Sequence, residues 1–301
     1  MNLLKIILST SAFAIASVAL HAQLPTKVES FPVRDVRLTA SPFKHAEDMD
    51  IRYLLGIDPD RLLAPYLKEA GLFPKAENYT NWENTGLDGH IGGHYLSALS
   101  YMYAATGNQE IKVRLDYMIS ELKRCQDAAG DGYLCGVPNG RKMWKEIEEG
   151  NIRASGFGLN DRWVPLYNIH KMLVKLTDWM IRLISKLSDE QIQDMLRSEH
   201  GGLNETFADV AAITGDKRYL KLAHQFSHQT VLQPLLKQED KLTGMHANTQ
   251  IPKVIGFKRI ADLEGNRDWS EAARYFWETV VDHRSITIGG NSVREHFHPA
   301  D

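Results

Sequence analysis

Glu295 lies in a histidine-rich segment that directly follows a pair of glycines. The segment reads Ile288-Gly-Gly-Asn-Ser-Val-Arg-Glu-His-Phe-His-Pro299, so that histidines and an arginine flank the carboxyl group. A carboxylic acid at the mouth of a pocket can protonate a glycosidic oxygen. The same pattern also fits a surface glutamate in a turn, and the segment alone does not distinguish these two interpretations.

Three other loops combine polar and aromatic side chains and lead into predicted helices. They run from Asn81 to His94, from Ser198 to Thr206 and from Gly244 to Lys253. Helix N-termini with polar side chains can bind hydroxyl-rich or anionic ligands, although each loop alone could serve only as a helix cap. Three similar loops favour a shared pocket. The predicted substrate-binding side chains in these loops are Trp82, Asp88, His90, Glu205, His246, Asn248 and Gln250.

A repeated pattern of helix, tight turn and helix must position these loops. In each copy an apolar run with helical spacing ends near a glycine, an Asn or Asp follows, and a second amphipathic run begins. The glycine can adopt the left-handed conformation that ends a helix, and the next residue can cap the following helix. The three turn glycines are Gly107, Gly215 and Gly265. The other predicted elements are helices around residues 44–56 and 59–70 and strands at residues 33–38 and 285–288.

The spacing of the repeat indicates that one helical hairpin is incomplete. Gly215 and Gly265 are 50 residues apart, whereas Gly107 and Gly215 are 108 residues apart, which is about two repeats. The segment from Trp163 to Trp179 begins like the first helix of a hairpin and continues like the second, without the glycine turn. This repeat is either divergent or has lost about 20 residues, one helix plus its turn. We favour a deletion because both flanking halves are well formed.

The repeated hairpins predict an all-α architecture. Antiparallel helical hairpins of this length build either an open solenoid or a closed α/α toroid. The sequence contains three clear hairpins and one incomplete hairpin, whereas closure of a toroid needs about six. The predicted fold is therefore a toroid of helical hairpins that is incomplete in this chain.

The composition is that of an ordinary globular protein. The chain has 301 residues, of which 43% are hydrophobic and 24% charged, and its net charge is −3. These values exclude a disordered chain, a collagen-like repeat and a disulfide-dense mini-protein. The slight acidity argues against a general nucleic-acid-binding protein, which would be strongly basic.

Residues 1–22 have the pattern of a secretory signal peptide. Lys5 precedes an uncharged apolar stretch from Ile6 to Leu20, which is short for a transmembrane span. An uncleaved membrane anchor is the alternative interpretation. We expect a secreted or periplasmic protein without stable membrane insertion after cleavage, in which residues 23–301 form a partial barrel domain.

The chain has two cysteines, Cys125 and Cys135, on either side of a turn-rich segment. Export makes a disulfide between them possible. Two buried free thiols are the alternative, and the sequence leaves both open.

Three of these motifs together resemble the β-L-arabinofuranosidase-type glycoside hydrolases of families 127 and 146. The motifs are residues 81–99, 246–253 and 289–297, and the resemblance extends from about Phe31 to the end of the chain. It implies an (α/α)6 barrel that β-sandwich domains follow in a longer protein. It also implies retaining hydrolysis of terminal β-L-arabinofuranosyl residues from plant glycans or glycoproteins.

The resemblance also assigns roles to individual residues. Glu295 matches the general acid/base, and His170 and His246 match sugar-contacting positions. The family nucleophile is a zinc-bound Cys thiolate, and further Cys and Glu ligands hold the zinc downstream of the acid/base motif. Because Cys125 and Cys135 precede that motif, we expect the nucleophile and the zinc ligands beyond residue 301, and no zinc bound by this chain.

The sequence is therefore interpreted as part of an exported glycoside hydrolase that acts on glycans containing L-arabinofuranose, without its Cys nucleophile. Its catalytic activity as an isolated chain is then expected to be absent. One alternative is a non-catalytic helical-repeat module that binds glycans or proteins. Another is a lyase or epimerase acting on a uronic sugar, which would need a cluster of Arg and Lys, and the loops contain few.

Overall fold

The computed structural model describes residues 31–169 and 175–299, and this part of the chain is mainly helical. Two short 3-10 helices occur at Val33–Asp35 and Asn81–Asn84. A two-stranded antiparallel hairpin is formed by β1 (Gly158–Leu159) and β2 (Arg162–Trp163). The described α-helices are α1 (Pro42–Gly56), α2 (Pro59–Glu69), α3 (His90–Thr106), α4 (Gln109–Ala129), α5 (Gly140–Glu148), α6 (Pro165–Ile169), α7 (Lys175–Ile184), α8 (Asp189–Met195), α9 (Leu203–Thr214), α10 (Lys217–Gln225), α11 (Gln229–Leu236), α12 (Ala247–Glu264) and α13 (Arg267–His283).

The three predicted helical hairpins are confirmed as α3–α4, α9–α10 and α12–α13. Their turn glycines Gly107, Gly215 and Gly265 have φ values of 68°, 73° and 68°. The next residue in each turn accepts a hydrogen bond from a backbone N–H in the first turn of the following helix, as a cap should. These capping residues are Asn108, Asp216 and Asn266. The helices predicted around residues 44–56 and 59–70 are confirmed as α1 and α2.

Two large apolar cores hold the described helices together, and a small third cluster joins α9 and α10. The larger core extends from Leu54 on α1 to Ile260 on α12, and the smaller core joins α11, α12 and α13 with Phe297. Helix α9 packs against both α10 and α12, and α12 also packs against α13. The approach of α9 and α12 is close, because a Cβ added at Gly256 would lie 2.2 Å from the side chain of Asn204.

The predicted strands at residues 33–38 and 285–288 are wrong. The first segment contains the 3-10 helix Val33–Asp35, and residues 285–288 form coil and turn. The hairpin that does form was not predicted, because two residues per strand are too short for an alternating pattern. Its two-residue loop is Asn160-Asp161, with φ values of 44° and 61°, which matches the residue preferences of tight hairpin turns.

Helices α6 and α7 occupy the place where one hairpin was predicted to be incomplete. With five residues, α6 is shorter than any helix of the three regular hairpins, whereas α7 has ten residues, one more than α10. Residues 170–174, which include His170, lie outside the described residues, as does the predicted signal peptide at residues 1–22. Within the described residues, no helix is long and apolar enough to cross a membrane.

Candidate functional site

Glu295 occupies a tight turn with a backbone conformation that is unusual for its residue type. The backbone N–H of Val293 donates to the carbonyl of His296 at 2.8 Å, and the N–H of His296 donates back at 3.1 Å. Between them, Arg294 and Glu295 have φ values of 49° and 67°. Two-residue turns with positive φ favour Asn and Gly, because a Cβ atom strains this conformation. Such strain is often retained at functional sites.

Backbone pairing fixes this turn against the loop that precedes α12. The N–H of Ala247 donates to the carbonyl of Glu295 at 2.7 Å, and the N–H of Phe297 donates to Met245 at 2.9 Å. The carbonyl of Phe297 accepts from Gly244 at 2.8 Å. Because the Phe297 side chain is buried in the smaller core, the turn is anchored on its far side while Glu295 remains exposed.

His246 and Glu295 form the central pair of the site. The Nε2 atom of His246 lies 3.3 Å from Oε2 of Glu295, and the Glu295 side chain is 75% exposed. The Nδ1 atom of His246 accepts a hydrogen bond from the backbone N–H of Thr249 at 3.3 Å, which caps α12. Since Nδ1 is an acceptor, a neutral His246 carries its proton on Nε2 and donates it to Glu295.

Glu199 is a second carboxyl group in the same electrostatic environment. It is half-buried, and burial raises its pKa, whereas His246 and Lys253 lower it and the charge of Glu295 raises it further. Glu199 in turn adds to the effect of burial in raising the pKa of Tyr167. The site therefore pairs the exposed carboxyl group of Glu295 with His246, whose ring lies 5.2 Å from that of His296, and the half-buried Glu199 feels the charges of both His246 and Glu295.

A buried polar cluster lies behind these carboxyl groups. The Nζ atom of Lys253 lies 3.0 Å from Nδ1 of His228 and 3.0 Å from Oε1 of Gln250. Burial lowers the pKa of Lys253 to about 8, which Glu199 opposes. Burial and the nearby Lys253 lower the pKa of His228 to about 3, and they also hold the pKa of His200 well below its ordinary value. Both histidines are thus neutral at physiological pH.

Exposed aromatic rings lead from the first loop to His246. The rings of Trp82 and Trp163 lie 5.9 Å apart, edge to face, and those of Phe157 and His246 lie 5.3 Å apart. The hairpin β1–β2 connects the two pairs, because Gly158, next to Phe157, pairs with Trp163. Two open clefts, each of about 580 Å³, lie next to these rings, one lined by Trp82 and the other by the hairpin. We call Trp82, Trp163 and Phe157 the aromatic row.

His90 and Asp88 shape the first loop from within. Both are buried, and Nδ1 of His90 lies 2.7 Å from Oε1 of Glu83. The Glu83 carboxylate also accepts hydrogen bonds from the backbone N–H groups of Gly89 and Ile91, each at 3.0 Å, and so caps α3. Asp88 accepts a hydrogen bond from the N–H of Gly86 at 2.9 Å, and burial raises its pKa. Of the three predicted substrate-binding residues in this loop only Trp82 is exposed, and the substrate contacts of His90 and Asp88 stay predictions.

The remaining predicted substrate-binding residues differ in their surroundings. Asn248 is exposed in the first turn of α12, whereas Gln250 is buried and donates to the carbonyl of His246 at 3.3 Å. Glu205 is half-buried in the first turn of α9, close to Gly202. His170 lies outside the described residues. The structure therefore brings His246, Gln250 and Glu295 together, and the roles of the others stay predictions.

The described residues do not fit a zinc-thiolate centre. No group of three or more His, Cys, Asp or Glu side chains that could hold a metal ion occurs in residues 31–169 and 175–299. Cys125 and Cys135 are free and buried, which decides between the two states that the sequence left open. Burial raises the pKa of Cys125 to about 11 and that of Cys135 to about 12, so both remain thiols at neutral pH.

Several residues of the site were missed by sequence reasoning. Glu199 directly precedes His200 in the second loop, where the sequence pattern predicts only Glu205 as a site residue. Lys253 ends the third loop in the sequence, where nothing marks it as buried. Phe157 and Trp163 lie beside the Asn-Asp turn of the unpredicted hairpin, and this dipeptide was the available signal.

Comparisons with known proteins bear on the family and the fold of this chain. The family model described as the β-L-arabinofuranosidase GH127 catalytic domain matches residues 35–174 and 171–301. The two matches meet at residues 171–174, where the repeat spacing predicts a missing helix and turn. A comparison with curated protein sequences found no match.

Two solved structures share the fold. The crystal structure of a GH127 β-L-arabinofuranosidase from Geobacillus stearothermophilus T6 has a TM-score of 0.56 and 14% identity, and the match covers 85% of this chain and 47% of that one. A GH127 β-arabinofuranosidase has a TM-score of 0.57 and 15% identity, and the match covers 89% of this chain and 46% of that one. This chain thus spans about half the length of both structures. Because the family model matches nearly all of the chain after residue 34, the chain belongs to the GH127 family of β-L-arabinofuranosidase catalytic domains.

Proposed function

We propose that this chain forms the acid/base and sugar-binding part of an exported glycoside hydrolase that removes terminal β-L-arabinofuranosyl residues from plant glycans with retention of configuration. Membership of the GH127 family supports the reaction class. The observation that carries the proposal is the exposed carboxyl group of Glu295, held in a strained turn 3.3 Å from Nε2 of His246. The signal-like pattern of residues 1–22 supports export.

Glu295 would transfer protons in both halves of such a reaction. As an acid it donates a proton to the departing glycosidic oxygen, and as a base it removes a proton from the water that releases the sugar. His246 donates to Oε2 of Glu295, which leaves Oε1 to face the substrate. The proton that Glu295 gives to the departing oxygen in the first step is replaced by the proton that it takes from water in the second, so that the carboxyl group ends the cycle protonated.

The surrounding residues would bind the sugar. The half-buried carboxyl group of Glu199 can accept hydrogen bonds from sugar hydroxyls, and these bonds are strong when the acceptor is ionised. The aromatic row offers ring faces that can stack on the glycan beyond the terminal sugar. Asn248, exposed at the start of α12, adds a polar group beside His246.

We further propose that neither described cysteine is the nucleophile. Attack on the anomeric carbon needs a thiolate, and burial keeps both Cys125 and Cys135 protonated. The chain alone is therefore expected not to hydrolyse p-nitrophenyl β-L-arabinofuranoside. Turnover by the purified chain that disappears in Glu295→Gln would show that this part of the proposal is wrong.

Calorimetric titration with methyl β-L-arabinofuranoside tests the site itself. His246→Ala and Glu295→Ala are each expected to weaken binding about tenfold, because each removes one hydrogen-bonding group from the sugar site. The exposed pair His224 and Glu264, with Nε2 and Oε2 2.9 Å apart, supplies matched controls, and His224→Ala and Glu264→Ala should bind as the wild type does.

A non-catalytic glycan-binding module is the second candidate, and the exposed aromatic row favours it equally. This function predicts sugar binding that survives both His246→Ala and Glu295→Ala but is lost in Trp82→Ala. Loss of binding in all three variants would favour the hydrolase site.

A further inference from the structure

Arg162 is a half-buried cation that the proposed proton transfers do not use. It lies on β2 and lines the open cleft beside the hairpin together with Phe157 and Trp163. We call this cleft, whose volume is about 580 Å³, the hairpin cleft. A guanidinium group keeps its charge in proteins, and removing it from water is unfavourable unless hydrogen-bond acceptors or an anion replace the water. The partners of Arg162 therefore decide whether the hairpin cleft can bind an anion.

The protein satisfies only part of the Arg162 guanidinium group. Its Nη1 atom donates to the backbone carbonyl of Asp161 at 3.1 Å, whereas Nε is buried and has no hydrogen-bond partner in the described part of the chain. No carboxylate group of residues 31–169 and 175–299 forms an ion pair with Arg162. An arginine has five N–H donors, and those of Arg162 are thus mostly without a partner among these residues.

Arg153, the other arginine of the hairpin cleft, has two carboxylate partners. Its Nη2 atom lies 3.1 Å from Oε2 of Glu146 and 3.0 Å from Oδ2 of Asp161. Asp161 directly precedes Arg162, but its carboxylate contacts Arg153 and only its backbone carbonyl contacts Arg162. The nearby acids of the protein are therefore paired with Arg153, and Arg162 is left as the cation that a ligand can neutralise.

The hairpin cleft adjoins the proposed acid/base. The ring of Phe157 lies 5.3 Å from that of His246, and Nε2 of His246 lies 3.3 Å from Oε2 of Glu295. The sugar that departs with the protonated oxygen must lie beside Glu295, because proton transfer needs hydrogen-bond distance. A glycan that continues from Glu295 along the aromatic row thus reaches the hairpin cleft with its leaving sugar or with the residue after it.

The side chains of the hairpin cleft favour a particular kind of sugar. Phe157 and Trp163 are 45% and 38% exposed, and their rings can stack on the apolar face of a sugar. A guanidinium group binds a carboxylate through two parallel charge-assisted hydrogen bonds, which are stronger than hydrogen bonds to a neutral hydroxyl group. A uronic acid residue matches both features, because it carries a carboxylate on a sugar ring.

We propose that the hairpin cleft binds a uronic acid residue of the substrate, whose carboxylate pairs with Arg162 while the rings of Phe157 and Trp163 contact the sugar. The proposal rests on the proposed function and narrows it to acidic glycans, in which a uronic acid lies beyond the terminal arabinofuranosyl residue. This uronic acid is bound and does not react, so one arginine suffices, whereas a lyase or epimerase would need a cluster of Arg and Lys.

Glycosides that differ only at C6 test this proposal. The methyl glycosides of D-galacturonate and D-glucuronate carry the carboxylate, and those of D-galactose and D-glucose carry a hydroxymethyl group in its place. In titrations followed through the Trp163 indole N–H signal, the wild type should bind the acid of at least one pair about tenfold more tightly, and Arg162→Gln should bind both members equally. Arg267→Gln is the matched control, because Arg267 is exposed at the start of α13, and it should keep the wild-type preference.

Ionic strength covers a failure of Arg162→Gln to fold. Raising NaCl from about 0.05 M to about 0.5 M should remove most of the preference of the wild type for the acid, because salt screens the ion pair, and should leave binding of the neutral glycosides unchanged. Arg162→Lys keeps the charge but loses the planar fork, and it should retain only part of the preference.

Three results would overturn the proposal: equal affinities within both pairs for the wild type, a preference that salt does not reduce, or an undiminished preference in folded Arg162→Gln. These probes contain no arabinofuranosyl residue. Failure of methyl β-L-arabinofuranoside to bind would therefore count against the proposed function and not against the acid-binding role of the hairpin cleft.

Discussion

Glu295 is held in a backbone conformation that a glycine would adopt at lower energy. Its φ of 67° follows the φ of 49° at Arg294, and both values lie in the left-handed region. Natural sequences retain such strain where the side chain is needed. The strained turn is thus evidence at the residue scale that the carboxyl group has a function.

The strain gives a prediction for stability. Glu295→Gly should raise the free energy of unfolding by about 1 kcal/mol, because glycine populates the left-handed region without a Cβ clash. Glu295→Gln keeps the strain and should leave stability unchanged. Urea unfolding of the two variants and the wild type measures this, and equal stabilities for all three would contradict the strain argument.

Lys253 gives a pH-dependent prediction. Its pKa is about 8 in the folded chain, below the ordinary 10.5, so between these values the unfolded chain binds more protons and stability rises with pH. Between pH 7.5 and pH 10, the free energy of unfolding of the wild type should therefore rise by about 2 kcal/mol more than that of Lys253→Met. Urea unfolding at both pH values measures this difference, in which the contributions of tyrosines and cysteines cancel. A difference that is independent of pH would show that Lys253 is not buried as a cation.

Individual site residues were predictable from sequence only where a motif contained them. Glu295 and His246 stand in motifs with several polar groups, and the structure brings their side chains together across 49 residues of chain. No sequence signal marks Glu199 and Lys253, because their burial and the effect of each on the pKa of the other depend on how α9, α11 and α12 pack. No local pattern encodes that packing.

At the scale of elements, the helical hairpins were predictable because their signals are local. Each turn needs one residue in the left-handed conformation and one side chain that caps the next helix, and Gly-Asn or Gly-Asp supplies both. The hairpin β1–β2 was missed for the opposite reason. Its strands of two residues carry no periodicity, and the contacts of Trp163 with Trp82 hold it from outside.

The turn glycines give a prediction for the hairpins. Gly265→Ala should lower the free energy of unfolding by about 1 kcal/mol, because its φ is 68° and no atom lies within 4 Å of an added Cβ, so the cost is conformational only. Gly56→Ala is the matched control, because Gly56 also has open space but its φ is not positive. Thermal unfolding should show a lower Tm for Gly265→Ala and an equal or higher Tm for Gly56→Ala. An equal loss in both would mean that the left-handed turn is not the cause.

At the scale of the whole molecule, the buried polar cluster predicts acid sensitivity. The pKa of His228 is about 3 in the folded chain, below the ordinary 6.5, so the unfolded chain takes up a proton first and stability falls as pH decreases through 6.5. When the pH falls from 7 to 5, the free energy of unfolding of His228→Gln should decrease by about 2 kcal/mol less than that of the wild type. Urea unfolding checks this, with His224→Gln as the exposed control. If the wild type and His228→Gln lost the same stability between pH 7 and pH 5, His228 would not be buried in its neutral form.

The overall fold was predictable as a class, since the repeat of helical hairpins led to the helical architecture shared with the two GH127 structures. The arrangement of the polar loops was less predictable, because it depends on how the hairpins pack around the aromatic row. The chain spans about half the length of those structures, and its own residues include the His246–Glu295 pair and the aromatic row.

The central claim is that a β-L-arabinofuranoside binds beside Glu295 and along the aromatic row, and the tryptophan indole N–H signals test it most directly. The six tryptophans include Trp82 and Trp163 in the row and Trp277, which is exposed in a different groove on α13. Titration of the chain with methyl β-L-arabinofuranoside should shift the Trp82 and Trp163 signals, assigned through Trp→Phe variants, and leave the Trp277 signal unchanged. A shift of Trp277 alone, or no shift of Trp82 and Trp163 at saturating sugar, would contradict the claim.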